Sequence, residues 1–484
     1  MYKTENFKAD LFKPARFEAK GSITLNGQEI PYHTVAEDNV FYDVSGKPIA
    51  TIFSYSYFRG DVENTADRPV IFGFNGGPGS SSMYVHAGFL GTRRIVYGEV
   101  DRPTALPPYE VIDNPDCLLD IADLVLVDPV ATGYGALLDE ERGKDFFGIE
   151  PDAEALLTFI EQWLHRYNRW LSPKYLVGES YGCTRSAVAA GIAATQGKER
   201  SYGIAFDGLV LIGNTVTVGK YFGRELPVES SVLFFTTFAA LNWYHNHPSD
   251  QSLEEFVYEA KAFAENEYLH ALYKGERLQG EEREDIIRRL MYYTGASRAY
   301  LEDRDLKIDS PSFRSEVARE KGYAVARFDG RITRPFYTPR RVEDTVGLWD
   351  DASSDRYGPY FFGALTGDIL PRLGIKLERQ YVSSYGIYKS WNTEETMGTT
   401  GEHLRNAMRR TPGMRVFFAN GWFDGATDCG HVFYTCDHAG LPMDRVSFKG
   451  YPSGHMIYIG EENVHTLCRD IRSFIMGGTP DPTE

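Results

Sequence analysis

A chain of 484 residues, 42% of them hydrophobic, is long enough for a large core or for a core with a second unit inserted. Its formal net charge of −17 argues against nucleic acid and anionic membrane surfaces as partners, and no apolar run reaches the ~20 residues that span a bilayer. The five cysteines (Cys117, Cys183, Cys429, Cys436, Cys468) are few, odd in number and not in a metal or redox spacing, so free thiols are expected. The stretch from Met1 to Asp10 has no apolar signal-peptide core. A cytoplasmic location is therefore the expectation; a periplasmic or secreted one requires a leader removed ahead of this numbering.

Residues 22–72 alternate in the manner of strands, with Asn26-Gly27 and Gly46 as punctuation, and predict an antiparallel meander that opens a sheet. Pro69 to Phe74 reads as a buried strand. It runs into Asn75-Gly-Gly-Pro-Gly-Ser-Ser-Ser82, whose glycines let backbone N–H groups face a ligand; taken alone, that loop reads as a plain connection. Leu118 to Val127 predicts a further strand, followed by Asp128-Pro-Val-Ala-Thr-Gly-Tyr134. A helix is expected from Asp152 to Trp170, on the apolar spacing of Leu156, Phe159, Ile160, Trp163 and Leu164.

Next comes Tyr175-Leu-Val-Gly-Glu-Ser-Tyr-Gly182, a short apolar strand, a Gly-x-Ser-x-Gly turn and then a helix of small residues from Thr184 to Ala194. A serine hydroxyl becomes a nucleophile only when it is exposed, oriented and served by a base. A tight turn supplies the first two, because Gly178 and Gly182 have no Cβ to keep strand and helix apart. The dipole of the following helix also favours negative charge at that point. Alone, the motif is a weak signal and fits an ordinary strand-turn-helix equally. Gly208 to Gly213 predicts another strand.

From Thr217 the composition changes. Residues 224–322 carry helical periodicity with dense charge, and 323–360 are polar and irregular. The chain is accordingly read as a first core part (1–216), an inserted, mainly helical cap (217–360) and a second core part (361–484). The cap is expected to pack over the C-terminal ends of the strands and to line the entrance to the site. Strand pattern returns at Met414 to Asn420, ending in Gly421-Trp-Phe-Asp424, and at Arg445 to Gly450, ahead of Tyr451-Pro-Ser-Gly-His455. A helix from Glu462 to Met476 closes the chain. Strands alternating with helices imply an α/β fold, with a mostly parallel sheet covered on both faces.

Serine, then an aspartate after a strand, then a histidine after the next strand is the order of an α/β-hydrolase triad. Asp424 and His455 follow strand ends, where open α/β sheets hold their chemistry. Asp428 or Asp437 could replace the acid, and His431, His438 or His465 the base. His431 and His438 read as part of a loop, and His465 as helical. His245 and His247 form a His-x-His pair, but no third ligand accompanies them, so no metal site is expected.

Taken together, Asn75-Gly-Gly-Pro-Gly-Ser-Ser-Ser, Asp128-Pro-Val-Ala-Thr-Gly-Tyr, Gly178-Glu-Ser-Tyr-Gly, Ile212-Gly-Asn214, Gly421-Trp-Phe-Asp424 and Gly454-His-Met456 resemble the serine carboxypeptidase family. The motifs stand in that family's order along nearly the whole chain, which looks most like its bacterial branch. The resemblance implies an α/β-hydrolase that removes single residues from peptide C-termini, with no metal and no cofactor. It implies Ser180 as nucleophile, Asp424 as acid and His455 as base; His455 is accordingly expected within hydrogen-bond reach of both Ser180 and Asp424. It further implies the N–H groups of Gly77 and Tyr181 as the oxyanion hole, and Asn75, the Gly76 N–H and Glu179 as the holders of the substrate carboxylate. A glutamate can donate to an anion only while protonated, so Glu179 needs a raised pKa.

The chain departs from the family at Phe89, ahead of Leu90-Gly91, where many members carry a second glutamate, and at Ser80, where a cysteine is usual. Arg93 and Arg94 lie close by in sequence. They are expected to pair with the substrate carboxylate and to outweigh the desolvation of Glu179 by Phe89. A carboxypeptidase-like acyltransferase or esterase on the same scaffold is one rival reading, and a non-catalytic binding or scaffold protein is another. Peptides are the expected partners, and a homodimer is one assembly the sequence allows.

Overall fold

The computed structural model describes residues 12–100, 106–195, 201–218, 227–336, 351–384, 386, 390–392 and 400–480. Its sheet opens with the expected meander of β1 (Arg16–Leu25), β2 (Gln28–Tyr42) and β3 (Pro48–Arg59). Asn26 and Gly27 make the first turn, both at positive φ (51° and 77°), the backbone that Asn-Gly adopts at little cost. Six shorter strands follow: β4 (Val70–Phe74), β5 (Asp123–Asp128), β6 (Lys174–Glu179), β7 (Gly208–Ile212), β8 (Arg415–Gly421) and β9 (Val446–Tyr451). Across the sheet they lie in the order β1-β2-β3-β5-β4-β6-β7-β8-β9. Pairing is antiparallel from β1 to β5 and parallel from β5 to β9. Strands β4 to β7 are buried along their whole length, as parallel strands with both faces covered must be.

Strand β5 starts later than the apolar run suggests. Leu118–Asp120 forms a single 3₁₀ turn instead. Asp123 fixes the start of the strand, because its buried carboxylate pairs with both Arg68 and Arg169 and accepts the Arg59 N–H.

The main helices are, in order, α1 (Ile149–Arg166), α2 (Tyr181–Thr195), α3 (Phe235–Asn246), α4 (Leu253–Phe263), α5 (Gly280–Thr294), α6 (Ala352–Ala364), α7 (Thr400–Arg410), α8 (Cys429–His438) and α9 (Glu461–Ile475). Alternate residues of the strands face opposite cores. Phe72, Val125, Leu176, Leu209 and Phe418 pack with α1, α2 and α7. Ile71, Leu124, Val177, Val210 and Phe417 pack with α6 and α9. Burial of these apolar side chains, at roughly 25 cal/mol per Å², is the main force that holds the layers together.

Helices α3 to α5 build a third core of their own, from Phe235, Phe238, Phe256, Phe263 and Leu290. It takes in Trp422, Phe423 and Cys429 from the chain just after β8. The insertion is thereby tied to the strand end that carries Asp424. Its later part is more regular than its composition suggests. Tyr323–Val325 pairs with Thr333–Pro335 as a hairpin, and α6 packs in the sheet's own core rather than with α3 to α5. Residues 219–226 and 337–350 of the expected cap lie outside the described residues. Among the described residues no helix is long and apolar enough to cross a membrane, and all five cysteines are free thiols.

Candidate active site

The turn between β6 and α2 holds Ser180 at φ 59°, in the left-handed region that only a well-braced non-glycine residue keeps. The bracing is visible. The Ser180 N–H donates to Ile212 O (2.8 Å), while Ser180 O accepts from the Cys183 N–H (2.8 Å) and Thr215 Oγ1 (2.9 Å). A Cβ on Gly178 would lie 2.3 Å from Gly182 O, so strand and helix meet only because that residue is glycine. A Cβ on Gly76 would lie 2.3 Å from Tyr181 N. The glycine loop therefore rides against the start of α2, in the same corner as Gly77 (φ 104°). Asp128 holds that loop, accepting from Ser82 N and Ser82 Oγ (both 2.8 Å) and from Tyr55 Oη (2.9 Å).

Asp424 and His455, the expected acid and base, lie in the loops after β8 and β9. His455 Nδ1 lies 2.7 Å from Asp424 Oδ2. The Asp424 carboxylate also accepts from Ala426 N (2.7 Å), Thr427 N (3.0 Å) and Thr427 Oγ1 (2.5 Å). With a carboxylate at Nδ1, the imidazole keeps its proton on that side and presents Nε2 as a base. Burial works to lower the pKa of His455, but the neighbouring Asp424 outweighs it and the net shift is upward.

Two further contacts seat the ring. The His455 N–H donates to Phe328 O (2.6 Å), and the Phe328 ring stands 5.1 Å away. On the other side His455 rests on Gly213, the residue that follows Ile212. A Cβ there would come within 3.0 Å of both Cε1 and Nδ1, at φ 60°. His455 and Ser180 thus share the ends of β6 and β7. No hydrogen bond links Ser180 Oγ to His455 among the described residues; such bonds commonly tighten only once substrate is bound. Gly213→Ala is expected to tilt the imidazole and lower kcat by about 10²-fold, since a displacement of ~1 Å can cost that much. Stopped-time hydrolysis assays, with melting curves to verify folding, check this.

The cap reaches the same place. Thr237 Oγ1 donates to Asp424 O (3.2 Å), the Gly425 N–H to Arg327 O (2.9 Å) and the Gly330 N–H to Phe423 O (2.9 Å). Segment 327–330 therefore threads between the Asp424 and His455 loops, and Asp351 pins it by accepting from the Arg327 N–H (2.5 Å). Sequence reasoning did not single out Phe328, Asp351 or Thr427. Only Gly213 and Asp128 carried a signal, as members of short motifs.

Glu179, one residue before Ser180, is buried. Asn75 Nδ2 donates to its Oε1 (2.7 Å), and Asn75 Oδ1 in turn accepts from the Val85 N–H (3.1 Å). Burial pushes the Glu179 carboxyl up to about 7, against the opposing pull of His455 and Asn75.

Arg93 and Arg94 do not join it, contrary to the expectation from their place in the sequence. Arg93 is committed to Asp368 (2.5 Å) and Asp113 (2.6 Å). Arg94 is buried and forked onto Glu461 (3.0 and 2.7 Å) at the start of α9. Each cation already has its carboxylates, and neither is among the groups that shift Glu179. Desolvation, not a guanidinium, sets its state.

Of the other candidates, Asp437 is exposed on α8, and the rest have partners elsewhere. His431 and His438 lie on α8, not in a loop. His431 bonds to Asp428 (2.5 Å), the N-cap of its own helix, and His438 to Tyr434 O (2.8 Å). His465 bonds to Asp116 (2.7 Å) and His245 to Gly330 O (2.7 Å).

A parallel sheet flanked by helices, a strained serine at a strand-to-helix turn and a helical insertion define the α/β-hydrolase class. The family model of the serine carboxypeptidases matches residues 41–279 of the chain. Among solved structures it is similar to the prohormone-processing carboxypeptidase Kex1 of Saccharomyces cerevisiae, at 15% identity and a TM-score of 0.50 over 92% of each chain. It is also similar to the peroxisomal α/β-hydrolase Lpx1 of the same yeast, at 12% identity and a TM-score of 0.35 over 98% of this chain and 92% of that one. A haloalkane dehalogenase loop variant from Bradyrhizobium elkanii follows at 11% identity, with a TM-score of 0.33 over 95% and 97%. No curated protein matches the chain in a sequence search.

Proposed function

We propose that this protein is a serine-type carboxypeptidase that removes single residues from the C-termini of peptides through an acyl-enzyme. The observation that carries the reading is Glu179, a buried carboxyl raised to about 7, oriented by Asn75 and standing one residue before the nucleophile. A protonated carboxyl in that place can donate a hydrogen bond to an anion, and the free end of a peptide is an anion.

In this reading Ser180 Oγ attacks the carbonyl of the last peptide bond while His455 Nε2 takes its proton. The oxyanion is met by the N–H groups of Gly77 and Tyr181, each worth about 3 kcal/mol of transition-state stabilisation. His455 passes the proton to the departing amino group, and the terminal residue leaves. Water then attacks the acyl-enzyme, with His455 again as base, and the shortened peptide is released. Asp424 and Thr427 keep the imidazole in one tautomer throughout. The test is a blocked dipeptide assayed beside its C-terminal amide. The free acid is expected to be the better substrate by at least about 10-fold in kcat/KM, the effect of a hydrogen bond to a charged group. Equal rates would refute the reading.

A further inference from the structure

The buried space around Glu179 is not simply apolar. The turn after His455 brings in Tyr458, which is fully buried. Its ring lies 4.9 Å from that of Phe89. Gly88 makes the room, since a Cβ there would sit 2.6 Å from Tyr458 Cε2. Glu179 and Tyr458 lie close enough for each to displace the other's titration. Tyr458 Oη and Glu179 Oε2 are both buried and face each other, and beyond that mutual contact neither has a hydrogen-bond partner among the described residues. A buried polar atom left unpaired is costly, and native proteins rarely leave a pair of them facing one region without a use. The groups acting on Glu179 are His455, Tyr458, Asn75 and Asp424, and Glu179 acts in turn on Tyr84 and Cys183. Of these, Tyr458 is the fully buried hydroxyl, and the group its proton faces is Glu179, with which an incoming carboxylate could share it.

We infer that Tyr458 is a specificity-determining residue, whose hydroxyl donates to the free α-carboxylate of the peptide while Glu179 and Asn75 hold the other side of that group. Phe89 backs the tyrosine ring and keeps its hydroxyl turned to the site. A phenol needs no change of protonation to donate near neutral pH, so the subsite works with one titrating carboxyl. The inference rests on the carboxypeptidase reading, and the test separates the two.

Wild type and Tyr458→Phe are each given a blocked dipeptide and its C-terminal methyl ester, and kcat and KM are measured for both. The substitution removes one oxygen and keeps the ring. KM for the free acid is expected to rise about 10- to 100-fold, the effect of losing a hydrogen bond to a charged group. The kcat for the acid and both constants for the ester should stay within about threefold. The acid-to-ester ratio is taken within one sample, so any unfolded fraction lowers both rates alike and leaves the ratio readable. If wild type prefers the acid and Tyr458→Phe keeps the same ratio, the tyrosine has no such role. If wild type itself shows no preference for the acid, the carboxypeptidase reading fails and the role of Tyr458 fails with it.

Discussion

Ser180→Ala is expected to lower kcat by about 10⁶-fold and to leave the melting curve unchanged. The loss is large because nucleophile and base act as a unit, and His455→Ala should cost nearly as much. Combining the two should add little, since the second substitution removes a partner already idle. Asp424→Asn should cost about 10⁴-fold. Its carboxylate accepts from His455 Nδ1, Thr427 and Ala426 together, and an amide in that place would turn the imidazole to the wrong tautomer. Hydrolysis assays with purified variants, supported by circular dichroism melting, check all three. A His455→Ala enzyme as fast as wild type would mean that another base serves Ser180.

The second large effect is one of pH. Glu179 has a folded-state pKa of about 7 against 4.5 when unperturbed. Its proton is held more tightly in the folded protein. The stability it contributes is complete below 4.5 and is lost as pH rises through about 7. The whole effect is on the order of 3 kcal/mol. Activity on free-acid peptides should follow the same proton, because an ionised Glu179 repels a carboxylate. His455 must meanwhile be neutral to accept from Ser180, and its pKa is raised. The profile of kcat/KM for free acids is therefore a bell, with the alkaline limb belonging to Glu179 and the acid limb to His455. Glu179→Gln keeps a donor that never titrates. It should lose the alkaline limb, so that at about two pH units above the wild-type limb it is ahead by on the order of 10-fold or more. Its Tm should also fall less than that of wild type as pH rises through 7. An unchanged alkaline limb in Glu179→Gln would contradict this assignment.

Much of this site was legible because the relevant residues stand at places where the backbone itself is constrained. Gly178 and Gly182 announce the Ser180 turn, since a Cβ on Gly178 would lie 2.3 Å from Gly182 O. Asp424 and His455 follow strands whose apolar runs are plain in the sequence, and the order of the three residues did the rest. The loop of Asn75, Gly76 and Gly77 was legible for the same reason.

Long-range charge was not legible. Arg93 and Arg94 lie near the glycine loop in sequence, but besides Asp113 the carboxylates that hold them are Asp368 and Glu461, 275 and 367 residues further on. Tyr458 shows a related limit. It sits just past His455, but nothing in Met456-Ile-Tyr458 says that its hydroxyl is buried against Glu179 until Phe89 and Gly88 are seen around it. The short segment from Arg327 to Gly330 reads as an irregular polar stretch, because its work is done by backbone groups that reach His455, Phe423 and Gly425. Backbone pairing of that kind leaves no trace in residue type.

The most direct measurement is the product pattern from a mixture of unblocked peptides, followed by mass spectrometry over time, with Ser180→Ala as control. Loss of single residues from the C-terminus only, from the wild-type enzyme only, is the predicted result. Internal cleavage, loss from the N-terminus, or the same products from Ser180→Ala would contradict the account.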